Sequence, residues 1–365
     1  MDGLIFLYIS IFPFGKLLGR LPDLIILLLL ILNIRKIKFS NFISICSFSL
    51  IFSLCLFQPR EIFTGILYLI RFVSYIVLSQ VVLERFGRTT NKRILIFNSL
   101  ILVGIFIAIF GWIQYLIFPD LRGLKALGWD DHYFRLTSTF LDPAFAGILL
   151  VLCEILFFVK TLEKSTRFKY IVNLFFIFTI AFTYSRASYL TLLFSFAFLF
   201  FKFRKKFVIF LSIVFMLVIF VLPKQSGGEG VNLARTQSIS DRFVNYKDSL
   251  VLIGKSPVFG IGFNNICVAK EKFLGEKNIT SHACNGLDNS ILFIVATTGI
   301  VGLIIFISLI LEIAKNTTHD KYGSALIASF IAIFIHGMFS NTFFYNFVLG
   351  WFAILIGITR SKVKD

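Results

Sequence analysis

Long apolar runs follow one another along nearly the whole chain, separated by short polar segments. Each run is about 15 to 25 residues long, which is the length a helix needs to cross about 30 Å of membrane hydrocarbon. We find about twelve such runs, at residues 3–19, 22–34, 41–57, 61–83, 94–118, 142–160, 169–184, 187–201, 206–222, 290–314, 323–340 and 343–359. With 58% hydrophobic and only 15% charged residues, the chain cannot cover itself with a soluble surface. The sequence therefore predicts an all-α polytopic membrane protein, folded as a single integral membrane domain over residues 1–365.

Lysine and arginine collect on one side of these runs. Twenty of them lie in the segments after even-numbered runs, and seven lie in the short segments after odd-numbered runs. Because cytoplasmic loops carry the excess of basic residues, both termini are predicted to be cytoplasmic. The formal net charge of +17 is then a consequence of membrane topology, and no nucleic-acid partner is expected.

One long polar segment, residues 223–289, lies between the ninth and tenth runs and is predicted to be external. Within it, residues 239–253 have an amphipathic pattern in which Phe243, Tyr246 and Leu250 share a face, so we expect this piece to lie across the mouth of the bundle. Cys267 and Cys284 also lie in this segment, in a compartment that permits disulfides, and we predict a bond between them.

Three arginines, Arg135, Arg186 and Arg242, are predicted to lie on the external face. Together they suit a diphosphate, because a planar guanidinium donates paired hydrogen bonds to phosphate oxygens. Each also has a simpler interpretation. Arg186 would serve as an anchor at the membrane interface, and Arg242 would be an ordinary loop charge. Arg135 would pair with a nearby aspartate, namely Asp130, Asp131 or Asp142.

Asp288 immediately precedes the tenth run, where partial burial would raise its pKa toward that of a useful general base. Its alternative role is the N-cap of the following helix. His282, six residues upstream, is a second candidate for the base, and its alternative is a solvated loop histidine. We find no spacing typical of a metal site and no Gly-rich phosphate loop, so neither a metal nor a cofactor is expected.

Four sequence blocks resemble the O-antigen ligase and polymerase family of bacterial membrane glycosyltransferases. They are RLTSTFLDP at residues 135–143, YSRAS at 184–188, Arg242 followed by SPVFGIGFN at 256–264, and DNSIL at 288–292 leading into GIVG at 299–302. The order of the blocks, with the long external segment between runs nine and ten, carries the resemblance. The first five runs match the family only in hydropathy and length.

The resemblance implies a metal-independent enzyme that uses glycans linked to undecaprenyl diphosphate, in the cytoplasmic membrane, with its active face toward the periplasm. Arg186 and Arg242 match the family's functional arginine pair, and Arg135 would assist them in holding the diphosphate. Ligases of the family carry histidine at the position of Asp288, so the aspartate favours the polymerase branch. The implied partners are the lipid-linked donor and acceptor, the lipid bilayer and a chain-length regulator protein.

Three other functions stay open at this point. An O-antigen ligase would transfer the glycan to lipid A-core, and His282 would then be its acting base. A flippase for lipid-linked oligosaccharides would also be polytopic and basic inside, but it would need a large charged central cavity, and charges within the apolar runs are few here. A small-solute transporter would be expected to show repeated halves or broken helices, which the sequence does not indicate.

Overall fold

The computed structural model describes residues 1–33, 59–127, 130–163, 166–223, 229–263, 265–275, 284 and 286–360. These residues form thirteen α-helices and no strand. The helices are α1 (Asp2–Ile11), α2 (Leu21–Asn33), α3 (Pro59–Val82), α4 (Thr90–Ile117), α5 (Pro143–Lys160), α6 (Arg167–Ala181), α7 (Arg186–Phe203), α8 (Lys206–Val221), α9 (Gln237–Lys255), α10 (Ile266–Leu274), α11 (Ser290–Lys315), α12 (Lys321–Gly337) and α13 (Asn346–Thr359). Short 3-10 helices lie at Phe12–Leu18, Arg122–Leu127, Ser138–Phe140 and Glu229–Val231.

Helices coincide with the predicted apolar runs, apart from the run at 41–57, which lies outside the described residues. Five helical stretches are long and apolar enough to cross a membrane: Gly65–Gly87, Thr90–Ile117, Pro143–Lys160, Arg186–Phe203 and Ser290–Lys315. Four further apolar helices, α2, α8, α12 and α13, are shorter. An all-helical membrane protein agrees with the predicted fold class, and the count of about twelve spans stays a prediction.

Helix α5 is the centre of the bundle. Fifteen of its eighteen residues are buried, and α4, α6, α7 and α12 pack around it. Asp142 begins the helix by accepting hydrogen bonds from the amides of Ala144 and Phe145, with Pro143 in the first turn. Small residues allow close approach, since Gly147 lies against Ser188 of α7. The centre of the bundle is thus fixed by a cap at one end of α5 and by tight helix contacts along it.

The two ends of the bundle differ in chemistry. At one end, Arg93 forms an ion pair with Asp320 at 2.8 Å, and Arg360 pairs with Glu312 at 3.3 Å. At the other end, the segments that follow α4, α6, α8 and α12 meet, and they bring backbone carbonyls to Arg135, Arg186 and Arg242. This second end, which the charge pattern predicts to be external, contains all the candidate residues that the structure describes.

Helix α9 turns a partly polar face toward the bundle. Phe243 and Leu250 are 68% and 61% exposed, whereas Ser249 and Leu252 are fully buried. The inward face of α9 is partly polar because it packs on α11 at the outer end of the bundle, where hydrogen bonds are made. Phe243 and Leu250 therefore lie on the exposed side of α9, whereas Tyr246 donates a hydrogen bond to the carbonyl of Met338. That this helix lies across the mouth of the bundle stays a prediction.

Candidate functional site

Arg135 lies in the segment between α4 and α5 and is 9% exposed. Its guanidinium donates to the carbonyls of Thr183 and Tyr184, at 3.1 and 3.2 Å, just beyond the end of α6. Carbonyls at a helix C-terminus have no partner within the helix and attract cations, which explains why this arginine prefers them to a carboxylate. The alternative interpretation, an ion pair with Asp130, Asp131 or Asp142, is not supported by these contacts. Burial lowers the pKa of Arg135 to about 10, with Arg235 as the next cause.

Arg235 is the arginine that sequence reasoning missed. Its guanidinium donates to the carbonyls of Gly230 at 2.7 Å and Asn232 at 3.0 Å, and to that of Tyr184 at 3.4 Å. Tyr184 therefore joins it to Arg135. Burial lowers the pKa of Arg235, and the positive charges of Arg186 and Arg242 lower it further. The sequence placed Arg235 within the predicted external segment, but nothing in the sequence showed that it lies beside the other arginines.

Arg186 begins α7, immediately after the Ser185 cap. Its guanidinium donates to the carbonyls of Leu233 and Arg235, at 3.3 and 3.0 Å, and to the Ser238 hydroxyl at 2.6 Å. A snorkelling anchor would extend toward lipid headgroups, whereas this side chain turns onto the segment between α8 and α9. The interface-anchor interpretation is therefore not supported by its contacts.

Arg242, on α9, completes a row of four guanidinium groups. It donates to the carbonyl of Ser238 at 3.4 Å and to that of Phe339 at 3.3 Å. Ser238 thus contacts both Arg186 and Arg242. Within the described part of the chain, none of the four arginines has a carboxylate within 4 Å. The hydrogen-bond partners of these guanidinium groups are carbonyl and hydroxyl oxygens, which leaves the row suited to an anion.

Asp288 lies beside this row, half-buried, between α9 and α11. Its backbone amide donates to the Asn245 side chain at 2.9 Å, and Asn245 stands one turn from Arg242 on α9. Burial raises the pKa of Asp288, while Arg242 and Lys270 oppose that rise. The alternative role of N-cap is wrong, because Asn289 caps α11 by accepting from the amides of Ile291 and Leu292, at 2.8 and 3.1 Å.

Helix α11 is broken at Gly299, where φ is +66°. A break within an apolar helix exposes backbone groups that need partners. The segment at residues 256–263 supplies them: Ile261 and Gly262 donate to the carbonyls of Ala296 and Thr297, at 2.8 and 3.0 Å. In return, the amide of Ile300 donates to the carbonyl of Pro257 at 2.9 Å. Two of the sequence blocks are thus one structural unit.

Glycine is required in this unit. Gly260 and Gly262 have φ values of +76° and +100°, in the region that favours glycine. A Cβ on Gly260 would meet the backbone of Thr297 and Thr298, and a Cβ on Gly299 would meet the backbone of Val258. The glycines of both blocks therefore serve close backbone packing, which helps to position Asp288, eleven residues before the break.

The predicted disulfide is confirmed. Cys267, in the first turn of α10, is bonded to Cys284, with the two Cα atoms 5.1 Å apart. The bond ties α10 to the segment that leads into Asp288. His282, the other candidate base, lies outside the described residues.

A second element that sequence reasoning missed is the loop between α12 and α13, residues 338–345. Its carbonyls at Met338 and Phe339 accept from Tyr246 at 2.6 Å and from Arg242 at 3.3 Å. Ser290 donates to the carbonyl of Ser340 at 2.9 Å, so the same loop also holds the first turn of α11. The polar run of Ser340, Asn341 and Thr342 between two apolar runs was the only signal in the sequence. Among the described residues, no cluster of His, Cys, Asp or Glu side chains is arranged to hold a metal ion.

Residues 171–307 match the family model described as O-antigen ligase. The matched region begins in α6 and ends within α11, and it includes Arg186, Arg235, Arg242 and Asp288 but not Arg135. No curated protein matches the chain.

Proposed function

We propose that the protein polymerises oligosaccharide repeat units carried on undecaprenyl diphosphate, because residues 171–307 match the family model described as O-antigen ligase. The observation that carries the proposal is the row of four arginines without a carboxylate partner among the described residues, with a half-buried aspartate beside it. The arrangement places a candidate base beside a site that can hold the diphosphate leaving group.

The arginine row suits the diphosphate of the donor lipid. Arg186 and Arg242 match the family's functional arginine pair. Ser238 accepts a hydrogen bond from each, through its hydroxyl from Arg186 and through its carbonyl from Arg242. Planar guanidinium groups offer paired donors to phosphate oxygens, and in a water-poor site such contacts are stronger than in bulk water. Arg135 and Arg235 extend the positive row past Tyr184 and would bind the second phosphate or attract the donor.

Asp288 is proposed as the base that activates the acceptor. The acceptor hydroxyl oxygen attacks the anomeric carbon of the donor sugar, the bond from that carbon to the diphosphate oxygen breaks, and the hydroxyl proton passes to the Asp288 carboxylate. The arginines stabilise the charge that develops on the departing diphosphate. The energy comes from the donor linkage itself, so the step uses neither a nucleotide sugar nor a metal ion.

The aspartate favours polymerase over ligase activity, since ligases of the family carry histidine at this position. The description of the matching family model is the observation that favours the second candidate, an O-antigen ligase that transfers the glycan to lipid A-core. In either case we propose a protein of the cytoplasmic membrane with both termini inside and residues 223–289 in the periplasm. A chain-length regulator would be a partner of the polymerase.

The glycan phenotype of a deletion strain tests the proposal and separates the two candidates. Loss of a polymerase should leave single repeats on lipid A-core, whereas loss of a ligase should leave naked core and accumulated undecaprenyl-linked polymer. Complementation with Arg186→Lys or Arg242→Lys should fail to restore long chains, because lysine keeps the charge but loses the paired donors.

Arg122→Lys is a matched control for these two variants. Arg122 lies at the same end of the bundle but is exposed and pairs with Asp120 at 2.6 Å, so its substitution should restore normal chain lengths. Normal chain lengths with all three variants, at equal protein levels, would contradict the diphosphate assignment.

A further inference from the structure

We propose that His336 is a positioning residue, which holds Arg186 and Arg242 at a fixed spacing through buried hydrogen bonds. The inference rests on the proposed function, because those two arginines are the proposed contacts of the diphosphate. His336 lies in the last turn of α12, just before the loop at residues 338–345, and it is fully buried. A buried histidine needs partners for its ring nitrogens, and here the partners lead to both arginines.

One ring nitrogen of His336 is bonded to the loop that holds Arg242. The Nδ1 atom lies 2.7 Å from the hydroxyl of Thr342, which is also fully buried. Three residues before Thr342, the carbonyl of Phe339 accepts the hydrogen bond of Arg242. The backbone between them turns tightly, since the amide of Thr342 donates to the carbonyl of Ser340 at 2.8 Å. The bond from His336 to Thr342 therefore restrains the carbonyl that orients the Arg242 guanidinium.

The other ring nitrogen faces the start of the helix that carries Arg186. The Nε2 atom of His336 lies 3.5 Å from the hydroxyl of Ser188, in the first turn of α7. That hydroxyl donates to the side-chain oxygen of Ser185 at 2.9 Å, and Ser185 caps α7 immediately before Arg186. Gly147 of α5 packs against the same hydroxyl and confines it. Because the cap determines where the helix begins, it also determines the direction in which the Arg186 side chain leaves the helix.

The contacts from Thr342 through His336 to Ser188, which we call the His336 bridge, suit an imidazole ring. In the neutral ring one nitrogen donates and the other accepts, so one rigid side chain joins two hydroxyls on different elements. The loop at residues 338–345 carries the restraint onward, because the Ser290 side chain donates to the carbonyl of Ser340 and accepts from the amide of Phe343, at 2.9 and 3.2 Å. Ser290 begins α11. The bridge therefore reaches all three elements that carry the candidate site.

Ser329 provides a matched control on the same helix. It lies about two turns before His336 on α12 and is also fully buried. Among the described residues, its hydroxyl has no hydrogen-bond partner. Loss of any buried polar contact lowers stability, but only a positioning residue slows turnover in a protein that remains folded. The two substitutions therefore separate positioning from packing.

Transfer kinetics of the full-length protein in nanodiscs test the positioning role. His336→Phe removes both ring nitrogens, and Thr342→Val removes the hydroxyl at nearly constant volume. Each should lower kcat by a factor of about 10 to 100, because misplacing a catalytic group by about 1 Å has an effect of this size. KM for the donor should change less, since the charges of the arginine row remain. Ser329→Ala should change neither value. An unchanged kcat in both folded bridge variants, or an equal loss with Ser329→Ala, would overturn the proposal.

A double variant and a rescue variant examine the bond from His336 to Thr342 itself. His336→Phe combined with Thr342→Val should be no slower than the slower single variant, because both changes remove the same bond. His336→Asn should recover most of the rate, since its side-chain amide offers a hydrogen-bonding group at about the position of Nδ1. Losses that multiply in the double variant, or a His336→Asn protein as slow as His336→Phe, would contradict the bridge.

Amide hydrogen exchange separates this proposal from the proposed function, because it needs no substrate. His336→Phe should speed exchange at residues 338–345 and in the first turn of α7, relative to the wild-type protein, and Ser329→Ala should not. Unchanged exchange in both segments would overturn the bridge even if the protein is an active polymerase. Faster exchange in both segments of a protein that has no transferase activity would support the bridge and contradict the proposed function.

Discussion

Asp288 and Asn289 are adjacent, and the structure assigns them opposite roles. Asn289 accepts two backbone hydrogen bonds at the start of α11, whereas Asp288 uses only its backbone amide, toward Asn245. Asp288→Asn should therefore leave the helix start intact and remove only the carboxylate. Because burial raises the pKa of that carboxylate, its charge is disfavoured in the folded protein, so the neutral amide should leave stability unchanged or slightly higher.

The two substitutions differ in expected magnitude. Loss of a general base typically reduces turnover by a factor of about 100 to 10,000, which Asp288→Asn should show. Asn289→Ala removes an N-cap and should cost about 1 kcal/mol of stability, with a much smaller effect on turnover. Both variants are assayed for repeat-unit transfer at equal protein levels and for thermal unfolding in the same detergent. Full activity in Asp288→Asn would refute the assignment, as would an equal loss of turnover in a stable Asn289→Ala protein.

Three further outcomes are expected. Lys270→Met should move the acid limb of the pH–rate profile to higher pH, because Lys270 holds down the pKa of Asp288 and the base must be deprotonated to act. An unchanged acid limb would contradict this. Arg235→Gln should raise KM for the lipid-linked donor roughly tenfold in a transfer assay, since a hydrogen bond to a charged group contributes about 1.5 kcal/mol or more, and an unchanged KM would remove Arg235 from the site. Replacing Cys267 and Cys284 by serine should lower the unfolding temperature, because closing this loop contributes up to about 3 kcal/mol to the free energy of unfolding. An identical unfolding temperature would contradict that contribution.

Hydropathy was sufficient to locate the apolar helices, because a chain segment in lipid must satisfy its own backbone and therefore has few alternatives to a helix. The sequence also identified part of the candidate site. The sequence blocks located Arg186, Arg242 and Asp288, and the pairing of Cys267 with Cys284 followed from their position in the predicted external segment. The break at Gly299 was not predicted, because it depends on backbone partners that residues 256–263 supply from outside the helix.

The parts that could not be predicted depend on tertiary contacts. Asn289 rather than Asp288 caps α11, while the Asp288 amide donates to the Asn245 side chain, a contact that the sequence does not reveal. The amphipathic pattern of α9 showed which residues share a face, but not which face packs against the bundle. Arg235 was indistinguishable from other loop charges until the fold placed it against the carbonyl of Tyr184.

Transfer by the purified protein in nanodiscs tests the central claim most directly. The only substrate is one undecaprenyl-diphosphate-linked repeat unit, with no nucleotide sugar and no lipid A-core, and the products are separated by length. We predict a ladder of lipid-linked oligomers that grows with time and is absent with Asp288→Asn. No elongation under these conditions, with transfer appearing only when lipid A-core is added, would contradict the polymerase assignment and identify the protein as a ligase.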